Sequence, residues 1–336
     1  MAPILTPPVP GYQYQETGVR RFAPPPPRGV FAVTLDETIS APVPLVERPV
    51  SDTASRSPRR RGVRRKAGAD DGMLGLGLLA GPANVIMQLA RPGVGYGVAE
   101  SRVESGRIDR HPIKRARTTF TYLAVSTSGT PEQQAAFRRA VNRAHAQVFS
   151  TDESPVKYHA FDKNLQLWVG ACLYKGVVDV YRLFEGEMDD ETADRLYLQG
   201  RALATMLQVP QDMWPADRAA FDRYWQQSLD EVHIDDTVRE FLYPIAASRL
   251  PGLALPGPLQ RQAEKVALLI TTGFLPQRFR DEMGLPWDPQ RQRRFERLMA
   301  ALAAVNRVSP RVVRQFPFNV LLKDLDWRMR TGRPLV

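Results

Sequence analysis

The sequence predicts an all-α protein: a single globular helical bundle over residues 72–336, preceded by a disordered Pro- and Arg-rich extension over 1–71. Three observations carry this reading. From Gly72 onward, apolar residues recur every three or four positions, and no run alternates apolar and polar residues over a strand's length. Proline-containing turns such as Val209-Pro210, Trp214-Pro215, Leu275-Pro276 and Ser309-Pro310 separate these periodic segments. Residues 1–50, by contrast, hold eleven prolines, including the run Pro24–Pro27. Proline fixes φ and removes a backbone donor, so this stretch favours extended or disordered chain.

The elements follow in order. Met73–Ala90 is apolar enough to raise a membrane span, but Pro82 and Asn84 interrupt it and it falls short of the roughly 20 residues a span needs. Buried helices are the favoured reading. A helix is expected from about Lys114 to Val125. Thr130-Pro131-Glu132-Gln133 is a strong helix start, with a Thr N-cap, Pro at the first helical position and Gln placed for a capping box. The helix that follows lines up Phe137, Val141, Ala144, His145 and Val148 on one face. Asp162 is placed to cap the next helix, with Leu165, Trp168, Val169 and Cys172 as its apolar stripe. Further helices read at about 190–208, 216–230, 235–248, 258–271 and 288–306.

Composition narrows the chemistry. The 336 residues are 43% apolar and 24% charged, enough to build a sizeable core. One cysteine excludes a disulfide scaffold and Cys-rich metal modules, and it fits a reducing compartment. A cytoplasmic protein, with scope for membrane association, is the expectation. The net charge of +10 is concentrated: Arg56, Arg59, Arg60, Arg61, Arg64, Arg65 and Lys66 form an acid-free run, leaving only +3 for all other residues. That distribution argues against a nucleic-acid-binding body and leaves peripheral membrane contact through 56–66 open.

Most catalytic signatures fail on context. Gly75-Leu-Gly77-Leu-Leu-Ala80 matches a loose dinucleotide fingerprint, but no strand precedes it. His233-Ile-Asp235 offers two legs of an iron facial triad without a later histidine, so Asp235 reads as a helix cap. No Glu stands three residues before any histidine, as a di-iron bundle requires. Cys172, on an apolar stripe, reads as an inert hydrophobe.

Two features survive. His145 shares a face with Phe137 and Val141, so its imidazole should point inward, either as a satisfied core histidine or as a ligand facing an apolar cavity. Arg117 and Thr121 are four apart and project from one helix face; a buried Arg117 needs an anion or a neighbouring carboxylate.

In order along the chain, several blocks resemble the catalytic domain of the MpaB and latex-clearing-protein (rubber oxygenase) family. These blocks are Gly81–Val98, Arg117 with Thr121, Val141–Val148 around His145, Tyr158–Asp162 through Val169, Leu275–Trp287 and Pro310–Phe318. The resemblance spans about residues 73–332 and implies a haem b-dependent oxygenase with globin-like helix packing around a haem pocket. It implies His145 as proximal iron ligand, and Arg117 and Thr121 as catalytic and haem-contacting residues. Dioxygen and a hydrophobic isoprenoid, lipid or polyketide are the implied partners. Arg91-Pro92 stands where relatives often have His-Pro, and Glu100 and Glu104 both precede Arg117 as candidates for an acidic catalytic group. The competing readings are a non-catalytic haem carrier or sensor and, behind it, a helical protein that binds anionic membrane or nucleic acid through its tail.

Overall fold

The computed structural model describes residues 75–336 except 104–106, 109, 250–251 and 253–254. The extension expected over 1–71, its basic run and Glu104 lie outside the described residues. Everything described belongs to a compact unit assigned to Val63–Val336. Among the described residues there are thirteen α-helices and short 3-10 turns, and extended backbone pairs only in an isolated bridge between Phe149 and His159. The all-α expectation holds.

The apolar stretch near Met73 folds as two short pieces rather than one span. Gly75–Ala80 is a 3-10 turn and α1 covers Gly81–Leu89. Ala83, Ile86, Met87 and Leu89 of α1 are buried in the main core. Among the described residues, no helix is long and apolar enough to cross a membrane. α2 follows at Pro92–Ala99.

α3 spans Pro112–Ser128 and α4 spans Pro131–His145. The capping box at α4 forms as expected: Gln133 N donates to Thr130 Oγ1 at 3.3 Å, and Thr130 N to Gln133 Oε1 at 2.8 Å. α4 stops at His145, so Val148 lies beyond it, in the following loop and not on the helical stripe. α5 (Lys163–Glu185) is the longest helix and starts where the Asp162 carboxylate accepts from the amides of Asn164 and Leu165, at 2.8 and 3.0 Å. It packs along α6 (Asp190–Thr205). The two backbones approach closely at Gly170, where an added Cβ would lie 2.5 Å from that of Ala204.

α7 (Arg218–Ser228) is followed by α8 (Asp236–Ala246), which Asp235 caps at the amide of Val238. Then come α9 (Gly257–Phe274), α10 (Gln277–Met283), α11 (Pro289–Val308), α12 (Arg311–Arg314) and α13 (Phe318–Thr331). Helices α10, α12 and α13 go beyond the sequence expectation. None has a side-chain N-cap, and α10 and α12 are two turns or fewer.

Two apolar clusters result. The larger centres on α5, where Trp168 stacks on Trp225 at 5.3 Å and lies 6.4 Å from Phe279, while Tyr174 meets Phe221 edge-on at 4.7 Å. Cys172 sits in this cluster with no exposure, and burial pushes its thiol pKa well up, as an inert hydrophobe requires. The smaller cluster joins Val125 of α3, Phe137 and Val141 of α4, and Leu325 of α13.

Candidate functional site

Between α2, α3, α4, α5 and α6 lies a cavity of about 250 Å³. Its walls are mostly aliphatic, with Leu89, Val94, Val98, Val141, Val169 and Leu173 among them. Gly93 and Gly97 bring α2 close on one side. A Cβ at Gly93 would come within 2.9 Å of Leu165, so this wall tolerates no side chain there without a shift.

Most polar groups on the walls are spoken for. Tyr122 donates its hydroxyl to the carbonyl of Leu203 at 2.6 Å, and Tyr158 donates to the Glu100 carboxylate at 2.8 Å. The hydroxyls of Thr118 and Thr119 turn back onto the carbonyls of Lys114 and Arg115, both at 3.0 Å. Gln166 bonds the carbonyl of Ala160 at 2.7 Å and the amide of Gln208. His159 Nδ1 accepts from the backbone N–H of Phe161 at 3.0 Å.

Two groups differ. His145, at the end of α4, faces the cavity, and its Nδ1 is buried with no hydrogen-bond partner among the described residues. Burial, with the positive charge of Arg115 adding to it, pulls the imidazole pKa down to about 4. The ring is neutral at physiological pH, the form that ligates metals. Arg115 also lines the cavity, and no described carboxylate forms an ion pair with it; burial lowers its pKa.

The α3 residues singled out in the sequence lie away from this cavity. Neither Arg117 nor Thr121 lines the cavity. Arg117 instead reaches Asp324 of α13 at 3.7 Å, the neighbouring-carboxylate alternative, and Thr121 is buried away from the cavity. Arg115-Ala-Arg117-Thr118-Thr119-Phe120-Thr121 contains two overlapping Arg-x-x-x-Thr pairs. The pair that faces the cavity is Arg115 with Thr119. The signal for it was present in the sequence, but choosing between the pairs requires knowing that α13 covers the other face of α3. Glu100 does not line the cavity; it touches the site through the hydroxyl of Tyr158. His159, Tyr158 and Gln166 are further wall residues that sequence reasoning did not assign.

A model of the family described as ER-bound oxygenase mpaB/B'/Rubber oxygenase, catalytic domain, matches residues 71–304 of the chain. The chain is also 50% identical, over 259 residues, to the uncharacterized proteins Mb2261 of Mycobacterium bovis and Rv2237 of Mycobacterium tuberculosis. Each of those alignments covers 77% of this chain and the whole of the relative. No solved structure matches the chain.

Proposed function

The chain belongs to the mpaB/B'/rubber oxygenase catalytic-domain family, and from that premise we propose that it is a haem b-dependent oxygenase for a hydrophobic substrate, with His145 as the protein's iron ligand. The observation that carries the reading is the neutral imidazole of His145, whose buried Nδ1 has no partner among the described residues, in a mostly aliphatic cavity with the guanidinium of Arg115, which pairs with no described carboxylate.

The residues present fit such a group. No three His, Cys, Asp or Glu side chains converge among the described residues. The cavity walls carry the imidazoles of His145 and His159, and one imidazole is enough for iron whose other in-plane ligands belong to a macrocycle. Arg115 would meet an acidic edge group of the macrocycle by charge-assisted hydrogen bonding, which also offsets its own desolvation. Bound haem supplies the redox chemistry with dioxygen, while the protein supplies orientation and a dry site.

The chain's own residues do the rest. His145 stays deprotonated because burial and Arg115 both oppose a second positive charge. The aliphatic walls exclude water and favour an isoprenoid-, lipid- or polyketide-like substrate over a polar one. Gln166, tied to Ala160 and Gln208, and Gln208, tied to Asn142 of α4 at 2.8 Å, hold the floor of the cavity to the helix that carries His145. Arg117 has a positioning part in this proposal, because its pair with Asp324 holds α3, and with it Arg115, against α13.

The test is to load the purified full chain with hemin, record its Soret band, and follow oxygen consumption with an apolar alkene. The wild type should bind haem and consume oxygen, and His145→Ala should lose most haem. A wild type that binds no haem, or a His145→Ala variant with an unchanged Soret band, overturns the assignment. Haem binding without oxygen consumption on any apolar alkene would favour a carrier or sensor.

A further inference from the structure

A second imidazole borders the cavity, and the assignment of His145 to iron leaves it without a role. His159 lies in the segment that joins α4 to α5, and the structure holds that segment in one shape. Phe149 and His159 form the antiparallel bridge, in which Ser150 N donates to the Tyr158 carbonyl and Ala160 N to the Val148 carbonyl, both at 2.9 Å. The ring of His159 lies nearly parallel to that of Phe149, with centroids 6.2 Å apart and planes 16° apart, and its centroid is 5.2 Å from that of Phe161. The neighbouring Tyr158 is tied to the Glu100 carboxylate, which also accepts from the hydroxyl of Ser154 at 2.7 Å. A side chain held this way is pre-organised for contact with a ligand.

The backbone also fixes which ring nitrogen carries the proton. Nδ1 accepts from the N–H of Phe161 at 3.0 Å, so in the neutral ring the proton sits on Nε2. In this tautomer His159 offers iron no free lone pair and offers a ligand one N–H. The hydroxyls of Thr118, Thr119, Tyr122 and Tyr158 give their protons to protein oxygens, whereas no described group accepts from His159 Nε2. His159 is exposed where His145 is half-buried, which places it at the mouth of the cavity.

We propose that His159 determines substrate class: its Nε2–H donates to a carbonyl or hydroxyl oxygen, so the substrate is an apolar molecule that carries an oxygen function and is not a plain hydrocarbon. A hydrocarbon lying across the mouth would strip this N–H of water and return no acceptor, which costs binding. An aliphatic interior with one fixed donor at its mouth suits a ligand whose body is apolar and whose oxygen sits at one end. A single neutral N–H matches a neutral oxygen, while the charged fork of Arg115 suits an acidic group. The inference rests on the cavity being the substrate site, as in the proposed function, but not on the presence of iron.

The test is titration calorimetry of the full chain, hemin-free and hemin-loaded, with 2-octanone and with 1-octene. His159→Phe keeps a ring between Phe149 and Phe161 but removes the donor. It should weaken 2-octanone about three- to tenfold, leave 1-octene unchanged and keep the wild-type helical content. His159→Gln, which restores an N–H donor, should recover part of the ketone affinity. An unchanged ketone affinity in His159→Phe overturns the proposal, as does a wild type that binds neither probe. Equal losses for the two probes would make the ring structural, and a loss of hemin affinity in place of ketone affinity would assign it to the cofactor; either result also overturns the proposal. A wild type that takes up no hemin refutes the iron assignment alone, because the comparison of probes is still read on the hemin-free chain.

Discussion

Helix α5 faces two very different surroundings along its length. Trp168 packs into a solid aromatic cluster with Trp225 and Phe279, under the guanidinium of Arg91 at 5.1 Å. Its neighbour Val169 and, one turn on, Leu173 border the cavity, where, among the described residues, His145 has a buried nitrogen without a partner and Arg115 pairs with no carboxylate. The same helix thus supports a filled region and an unfilled one. An unsatisfied buried polar atom costs stability, about 1–3 kcal/mol. Among the described residues Arg91, Trp214, Arg314 and Asn319 also bury an unpartnered side-chain atom, but of these residues His145 alone borders the cavity.

The contrast is sharpest in stability. Phe279→Ala, in the aromatic cluster, should cost about 3–5 kcal/mol in urea denaturation through the cavity it leaves. A loss under about 1 kcal/mol would mean this region is no better packed than the site.

Acid should act on the other region. His145 has a folded pKa of about 4, below the ordinary histidine value of about 6.5, so the unfolded chain binds the extra proton first. Its contribution to stability is therefore complete above about pH 6.5 and is lost as pH falls toward 4, a change of about 3 kcal/mol for the metal-free chain. His145→Ala should remove most of that dependence and, at neutral pH, leave the metal-free protein near wild-type stability. Parallel pH–stability curves for the two would show that His145 is not held neutral.

The two arginines of α3 provide a finer comparison. Arg115→Ala should lower hemin affinity about tenfold while hardly altering the fold, since it removes a charge-assisted contact to the bound group. Arg117→Ala should cost about 1 kcal/mol or less, because its pair with Asp324 is long and partly exposed, and should leave most haem binding intact. Reversed effects would restore Arg117 to the site.

What the sequence made legible follows from how local each signal was. The caps at Thr130, Asp162 and Asp235 depend on contacts within three or four residues, and each one forms. The inward aim of His145 came from its register with Phe137 and Val141, which lie in the core. Helix α13 escaped because it starts after a proline without a side-chain cap, and its burial depends on α3 and α4 more than 170 residues earlier in the chain. Without α13, nothing distinguishes the face of α3 that meets Asp324 from the face that meets the cavity.

The central claim is that the imidazole at position 145 reaches iron, and the most direct measurement is resonance Raman spectroscopy of the ferrous haem-loaded chain. The wild type should show an iron–imidazole stretch; His145→Ala should lose it and regain a comparable band when free imidazole is added. A variant whose spectrum matches the wild type would contradict the account.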